Sequence, residues 1–75
     1  MTETAQKEMI CVSVNGEPRS IAAGSSIADM LRAIGLDPLK VAVERNLELV
    51  PRSTLADVPA SDGDLFEIVH FVGGG

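Results

Sequence analysis

From Ile10 to Val14 apolar residues alternate with Cys11 and Ser13, a period of two that gathers Ile10, Val12 and Val14 on one face of a strand. Asn15-Gly16 follows, and both residue types tolerate the positive φ that a two-residue hairpin loop demands. With those two as the loop, Val14 faces Glu17 and Ile10 faces Ile21, so a second strand covers about Glu17 to Ile21. Pro18 has no amide hydrogen to give a neighbour, which assigns that strand to a sheet edge.

After the break at Gly24-Ser25-Ser26 the period changes. Ile27, Met30, Leu31 and Ile34 stand at the i, i+3, i+4, i+7 spacing of one helix face. Ser26 and Asp29 form a short-chained capping box, Gly35 sits where a left-handed C-terminal residue is wanted, and Leu36 is placed to close the helix end hydrophobically. Asp37-Pro38 prevents further helix, and Val41 and Val43 alternate with Ala42 and Glu44 in a third strand that turns at Asn46. A fourth, short strand covers Glu48 to Val50 and ends at Pro51, while Ser53 to Pro59 reads as irregular chain or a single helical turn holding Leu55 and Val58 down. Ser61-Asp62-Gly63-Asp64 is a turn cluster. Leu65 to Val72 then runs apolar except for Glu67 and His70, long enough to be the central strand.

One helix must bury its stripe on a sheet, and the last strand can lie beside the first only in a mixed arrangement. The expected fold is therefore α+β: a β-grasp, or ubiquitin-like, domain with a mixed four- to five-stranded sheet covered by one main helix. Residues 1–8, with Met1 and Ala5 their only apolar members, are expected to form a mobile extension, 9–72 the domain and 73–75 a flexible glycine tail.

A domain of about 64 residues supports one thin core, whereas an enclosed pocket for a drug-sized molecule takes roughly 300–1,000 Å³. A self-sufficient enzyme is not expected, and no residue is assigned a catalytic role. Hydrophobic residues at 45% and charged residues at 23% exclude a wholly disordered chain. The net charge is −5, and the six basic residues are scattered at 7, 19, 32, 40, 45 and 52, so binding to nucleic acid is not expected. Cys11 is the sole cysteine and cannot form an internal disulfide; no stretch approaches the roughly 20 apolar residues of a membrane span, and MTETAQKE lacks the apolar core of a secretory signal. These features point away from a membrane and to a reducing, cytoplasmic setting.

Candidate chemistry gathers at the end of the chain. Gly73, Gly74 and Gly75 follow the most apolar strand without a polar spacer. Such a run adds no packing and projects as a thread able to enter a narrow active site. Without a Cβ at Gly74 or Gly75 the terminal carboxylate, ionised at neutral pH, is minimally hindered. His70 has no second His and no cysteine near it in sequence, so no metal site is expected. Cys11 has no general base in its neighbourhood and reads as a small strand hydrophobe, and Asp62 and Asp64 are explained by turn chemistry. Phe66 and Phe71 fall on opposite faces of the last strand. If Phe66 and Ile68 face the helix, Phe71 and Val69 project from the other face as a docking surface.

These residues resemble the ThiS-type sulfur carriers of thiamine biosynthesis, within the ThiS and MoaD group of ubiquitin-like proteins. The resemblance covers about Ile10 to Gly75. It is carried by Val14-Asn15-Gly16-Glu17, Ile27 to Leu31, Val41-Ala42-Val43 with Asn46, Val50-Pro51-Arg52, Asp62-Gly63-Asp64, and Glu67-Ile68-Val69 through Gly75. It implies that the Gly75 carboxylate is adenylated by an E1-like (ThiF-like) adenylyltransferase and converted to a thiocarboxylate. It further implies a sulfur donor protein and delivery to a thiazole synthase (ThiG-like), with ATP and magnesium used by the adenylating partner and no cofactor bound by this chain. Gly73 is an extra glycine relative to the family's pair, and residues 1–8 are longer than its usual start. A MoaD-type carrier for molybdopterin synthesis shares the tail, and Val50-Pro51-Arg52 with the short chain favours the thiamine type. A carrier for another pathway and a non-covalent β-grasp interaction module are the other readings.

Overall fold

The opening hairpin forms in the expected register. In a computed structural model, which describes residues 8–71, β1 (Met9–Val14) pairs antiparallel with β2 (Glu17–Ala22), Val14 opposite Glu17 and Ile10 opposite Ile21. Asn15 and Gly16 both take positive φ, 51° and 86°, the pattern whose twist matches that of the two strands. Helix α1 (Ile27–Ala33) then crosses one face. The Ser26 side chain accepts the Asp29 amide while the Asp29 carboxylate accepts that of Ser26, so the capping box is complete. Two further amides at this end, of Ile27 and Ala28, donate to the carbonyls of Val58 and Leu55, which ties the 52–60 segment to the helix start. At the other end Gly35 adopts φ 89° and the Leu36 amide returns to the Leu31 carbonyl.

Beyond the helix the chain makes a 3-10 turn at Pro38–Lys40, β3 (Val41–Arg45), β4 (Glu48–Val50) and a second 3-10 turn at Arg52–Thr54 before β5 (Leu65–His70). The sheet order is β2-β1-β5-β3-β4, with β5 central, parallel to β1 and antiparallel to β3. This is the β-grasp arrangement, and β2 with its Pro18 lies at an edge.

The core lies between α1 and one sheet face. Ile27, Met30 and Leu31 of the helix are fully buried against Val12, Val43 and Phe66, and Leu55 closes one end of this layer. Ile34 and Leu36 pack partly buried at its margin. β5 ends at His70, short of the expected Val72. Its neighbour β3 begins at Val41, opposite His70, and the chain before it is the Pro38–Lys40 turn, which leaves the Lys40 carbonyl to take the Phe71 amide at 3.0 Å. Among the described residues no helix is long and apolar enough to cross a membrane.

Candidate functional site

The expected chemistry sits at the end of β5, so the way β5 is held matters first. Its parallel pairing with β1 is brief, Ser13 with Leu65 and Val14 with Phe66, because the chain turns away at Asn15. Asn15 carries the ladder further with its side chain. Its Oδ1 accepts the Ile68 amide at 2.7 Å and its Nδ2 donates to the Ile68 carbonyl at 3.2 Å, standing in for a missing strand residue.

A second asparagine does the same on the other side. Asn46, at φ 51°, donates its backbone amide to the Leu65 carbonyl at 2.8 Å, and its Oδ1 accepts the Leu65 amide at 2.9 Å. Its Nδ2 reaches the carboxylate of Asp64, which is 6% exposed. Asp64 also accepts from Arg45 Nε at 2.9 Å and from the Ser61 amide at 2.8 Å, so three donors converge on one buried carboxylate. Asp62 accepts the Cys11 amide at 2.8 Å, and the Gly63 amide donates to the Cys11 carbonyl, zipping the turn onto β1. Turn chemistry accounts for part of this. Asp64 in addition joins the β3–β4 hairpin to the start of β5, a role that only the paired charge of Arg45 hints at in the sequence.

Side chains alternate along β5. Phe66 and Ile68 are buried beneath the helix, while Val69 and Phe71 are 63% and 52% exposed. Val69 lies opposite Ala42 and shares a hollow of about 270 Å³ with Ala42, Leu49, Glu44 and Glu67. Phe71 lines a neighbouring hollow of about 220 Å³ that includes Leu49 and Arg52, and the Arg52 guanidinium lies 5.0 Å from the centre of the Phe71 ring. Leu49 and Ala42 belong to both hollows, so Val69 and Phe71 are parts of one apolar surface at the end of β5. Sequence reasoning missed Leu49 and Ala42. The alternation of β4 and its pairing, Glu44 opposite Leu49, is the signal that places Leu49 on this face.

Cys11 is exposed and lies in a separate shallow hollow with Ser13, Pro18 and Leu65. His70 is exposed at the last position of β5, opposite Val41. Among the described residues no group of three His, Cys, Asp or Glu is placed to hold a metal ion. Gly74 and Gly75 lie outside the described residues.

A mixed five-stranded sheet covered by one helix, with a central last strand whose end bears an apolar surface, defines a ubiquitin-like domain. Known proteins narrow the class. The family model of ThiS matches residues 12–75. The chain is 44% identical over 50 residues to the sulfur carrier protein ThiS of Bacillus subtilis, covering 67% of this chain and 76% of that one. The crystal structure of the thiamine biosynthesis protein (ThiS) from Geobacter metallireducens superposes with a TM-score of 0.73 at 30% identity, covering 88% of this chain and all of that one. The chain belongs to the ThiS family of sulfur carriers. It is also 52% identical over 62 residues to a thiazole synthase of Paramagnetospirillum magneticum, covering 83% of this chain but only 19% of that protein. This chain therefore spans about a fifth of the length of that relative.

Proposed function

We propose that the chain carries sulfur for thiazole formation in thiamine biosynthesis, as a thiocarboxylate on Gly75. A carboxylate is a poor acyl donor because its oxygen leaves badly. Attack of the Gly75 carboxylate on the α-phosphorus of ATP, displacing pyrophosphate, converts that oxygen into part of a good leaving group. Hydrosulfide supplied by a donor protein then adds at the carbonyl and expels AMP, which keeps the oxygen. The thiol proton is lost to solvent, and the thiocarboxylate remains on Gly75 with no change in oxidation state. ATP and magnesium are held by an E1-like adenylyltransferase; this chain supplies the thread and a recognition surface.

The observation that carries the reading is the family membership of a chain that brings Gly74 and Gly75 just after the apolar surface of Val69 and Phe71. Those two side chains dock on the adenylating enzyme while the glycines enter its active site. The likeness to a segment of thiazole synthases supports a thiazole synthase as the acceptor. The chain acts where these partners act, in the cytoplasm.

Intact-protein mass spectrometry tests it. After incubation with the adenylating enzyme of the same organism, ATP and a sulfur donor, the native chain gains the mass difference between one sulfur and one oxygen. A variant lacking Gly75, shortened by up to about 3.6 Å against a catalytic tolerance of about 0.5 Å, gains nothing, and neither does one extended by a residue. A native chain that never gains this mass overturns the reading and leaves the non-covalent module as the better account.

A further inference from the structure

We infer that the hollow between Val69 and Leu49 receives a lysine or arginine side chain of the adenylating enzyme, whose charge is taken by Glu44 and Glu67. The inference rests on the carrier reading above and specifies the chemistry of its docking surface.

Glu44 and Glu67 occupy directly opposed positions of the β3–β5 ladder, both exposed on the face away from the helix. Like charges at such positions destabilise a sheet. Among the described residues the ion pairs engage Glu17, Asp29 and Asp64, and neither Glu44 nor Glu67 takes part in one. The pair instead shares its hollow with Ala42, Leu49 and Val69. Carboxylates above apolar walls match a long cationic side chain in both of its parts: the methylene stem lies along the walls and the head meets the charges. A hard divalent cation is a poor match, since it takes about six oxygen ligands or more and the walls here are hydrocarbon. A second copy of the chain is a poor match too, because each copy carries a net charge of −5 and face-to-face stacking would set carboxylates against carboxylates. The opposed pair thus weakens the free domain and strengthens the complex with a basic partner.

The test uses the full chain with Glu44→Gln and Glu67→Gln together, and separately Glu67→Lys, which forms an internal pair with Glu44. Thermal unfolding is followed for each, and binding to the adenylating enzyme is titrated at low and high salt. Both variants should unfold at a higher temperature than the native chain. The double variant should bind about tenfold more weakly, with a flatter salt dependence, and Glu67→Lys more weakly still. Binding by the double variant as tight as native, or tighter binding by Glu67→Lys, overturns the inference while leaving the carrier reading in place. Self-association of the native chain that these substitutions abolish assigns the face to a second copy and likewise overturns it. A native chain that the adenylating enzyme neither binds nor adenylates defeats the carrier reading itself, and the inference with it.

Discussion

Replacing Asn15 by alanine removes the side-chain ladder that extends the grip of β1 on β5. Two hydrogen bonds to Ile68, at 2.7 and 3.2 Å, are lost together. Each is worth about 0.5–1.5 kcal/mol net, about 1–3 kcal/mol for the pair, and Ile68 is only 8% exposed, so water replaces them poorly. Residue 15 also holds φ at 51°, where asparagine is far more at ease than alanine, which adds about 1 kcal/mol. The sum is about 2–4 kcal/mol, a large share of the roughly 3–10 kcal/mol available to a domain of this length. Asn15→Gly separates the two effects, since it loses the hydrogen bonds without the backbone penalty and should lie between alanine and native. Urea unfolding followed by circular dichroism gives both differences, and amide exchange should show Ile68 losing its protection. An alanine variant within about 0.5 kcal/mol of native refutes the ladder. Equal losses for alanine and glycine would refute the backbone contribution alone.

Two further substitutions probe the core and the second hairpin. Leu31→Ala, at a fully buried position beneath the sheet, should cost about 2–5 kcal/mol, and an unchanged melting midpoint would show that the helix face is wrongly assigned. Leu47 is 87% exposed and sits at φ 74°, where a branched side chain is strained, so Leu47→Gly should raise stability in urea by about 0.5–1 kcal/mol despite the freer unfolded chain; a loss would mean that the leucine makes a contact of its own.

The legible parts of this fold were those in which a periodicity or a local turn decides the outcome. A two-residue loop at Asn15-Gly16 fixes the register of β1 and β2 by counting, and the spacing from Ile27 to Ile34 fixes the buried face of α1 with its Ser26–Asp29 cap. Long-range polar contacts were not legible. Asn15 reads as a turn residue, and its second role depends on Ile68, 53 positions away, arriving beside it. The same holds for Asp64, whose partners Arg45 and Asn46 lie 19 and 18 positions earlier in the chain. The end of β5 was overestimated because an apolar run tells how far a strand could extend, whereas the start of β3 decides how far it has a partner. For the site, alternation along β5 separated exposed Val69 and Phe71 from buried Phe66. Leu49 and Ala42 became part of that surface only through pairing between strands.

The central position of β5 has a mechanical consequence. A pull on the chain beyond Phe71, from an enzyme that draws the glycines inward or a protease that engages them, acts along the axis of a strand bonded on both flanks. Such a load shears the ladders to β1 and β3 all at once, with the Asn15 and Asn46 side chains acting as rivets on either side of the strand. An edge strand such as β2 would peel one bond at a time. The domain is therefore built to bear tension along β5, toward its C-terminal end.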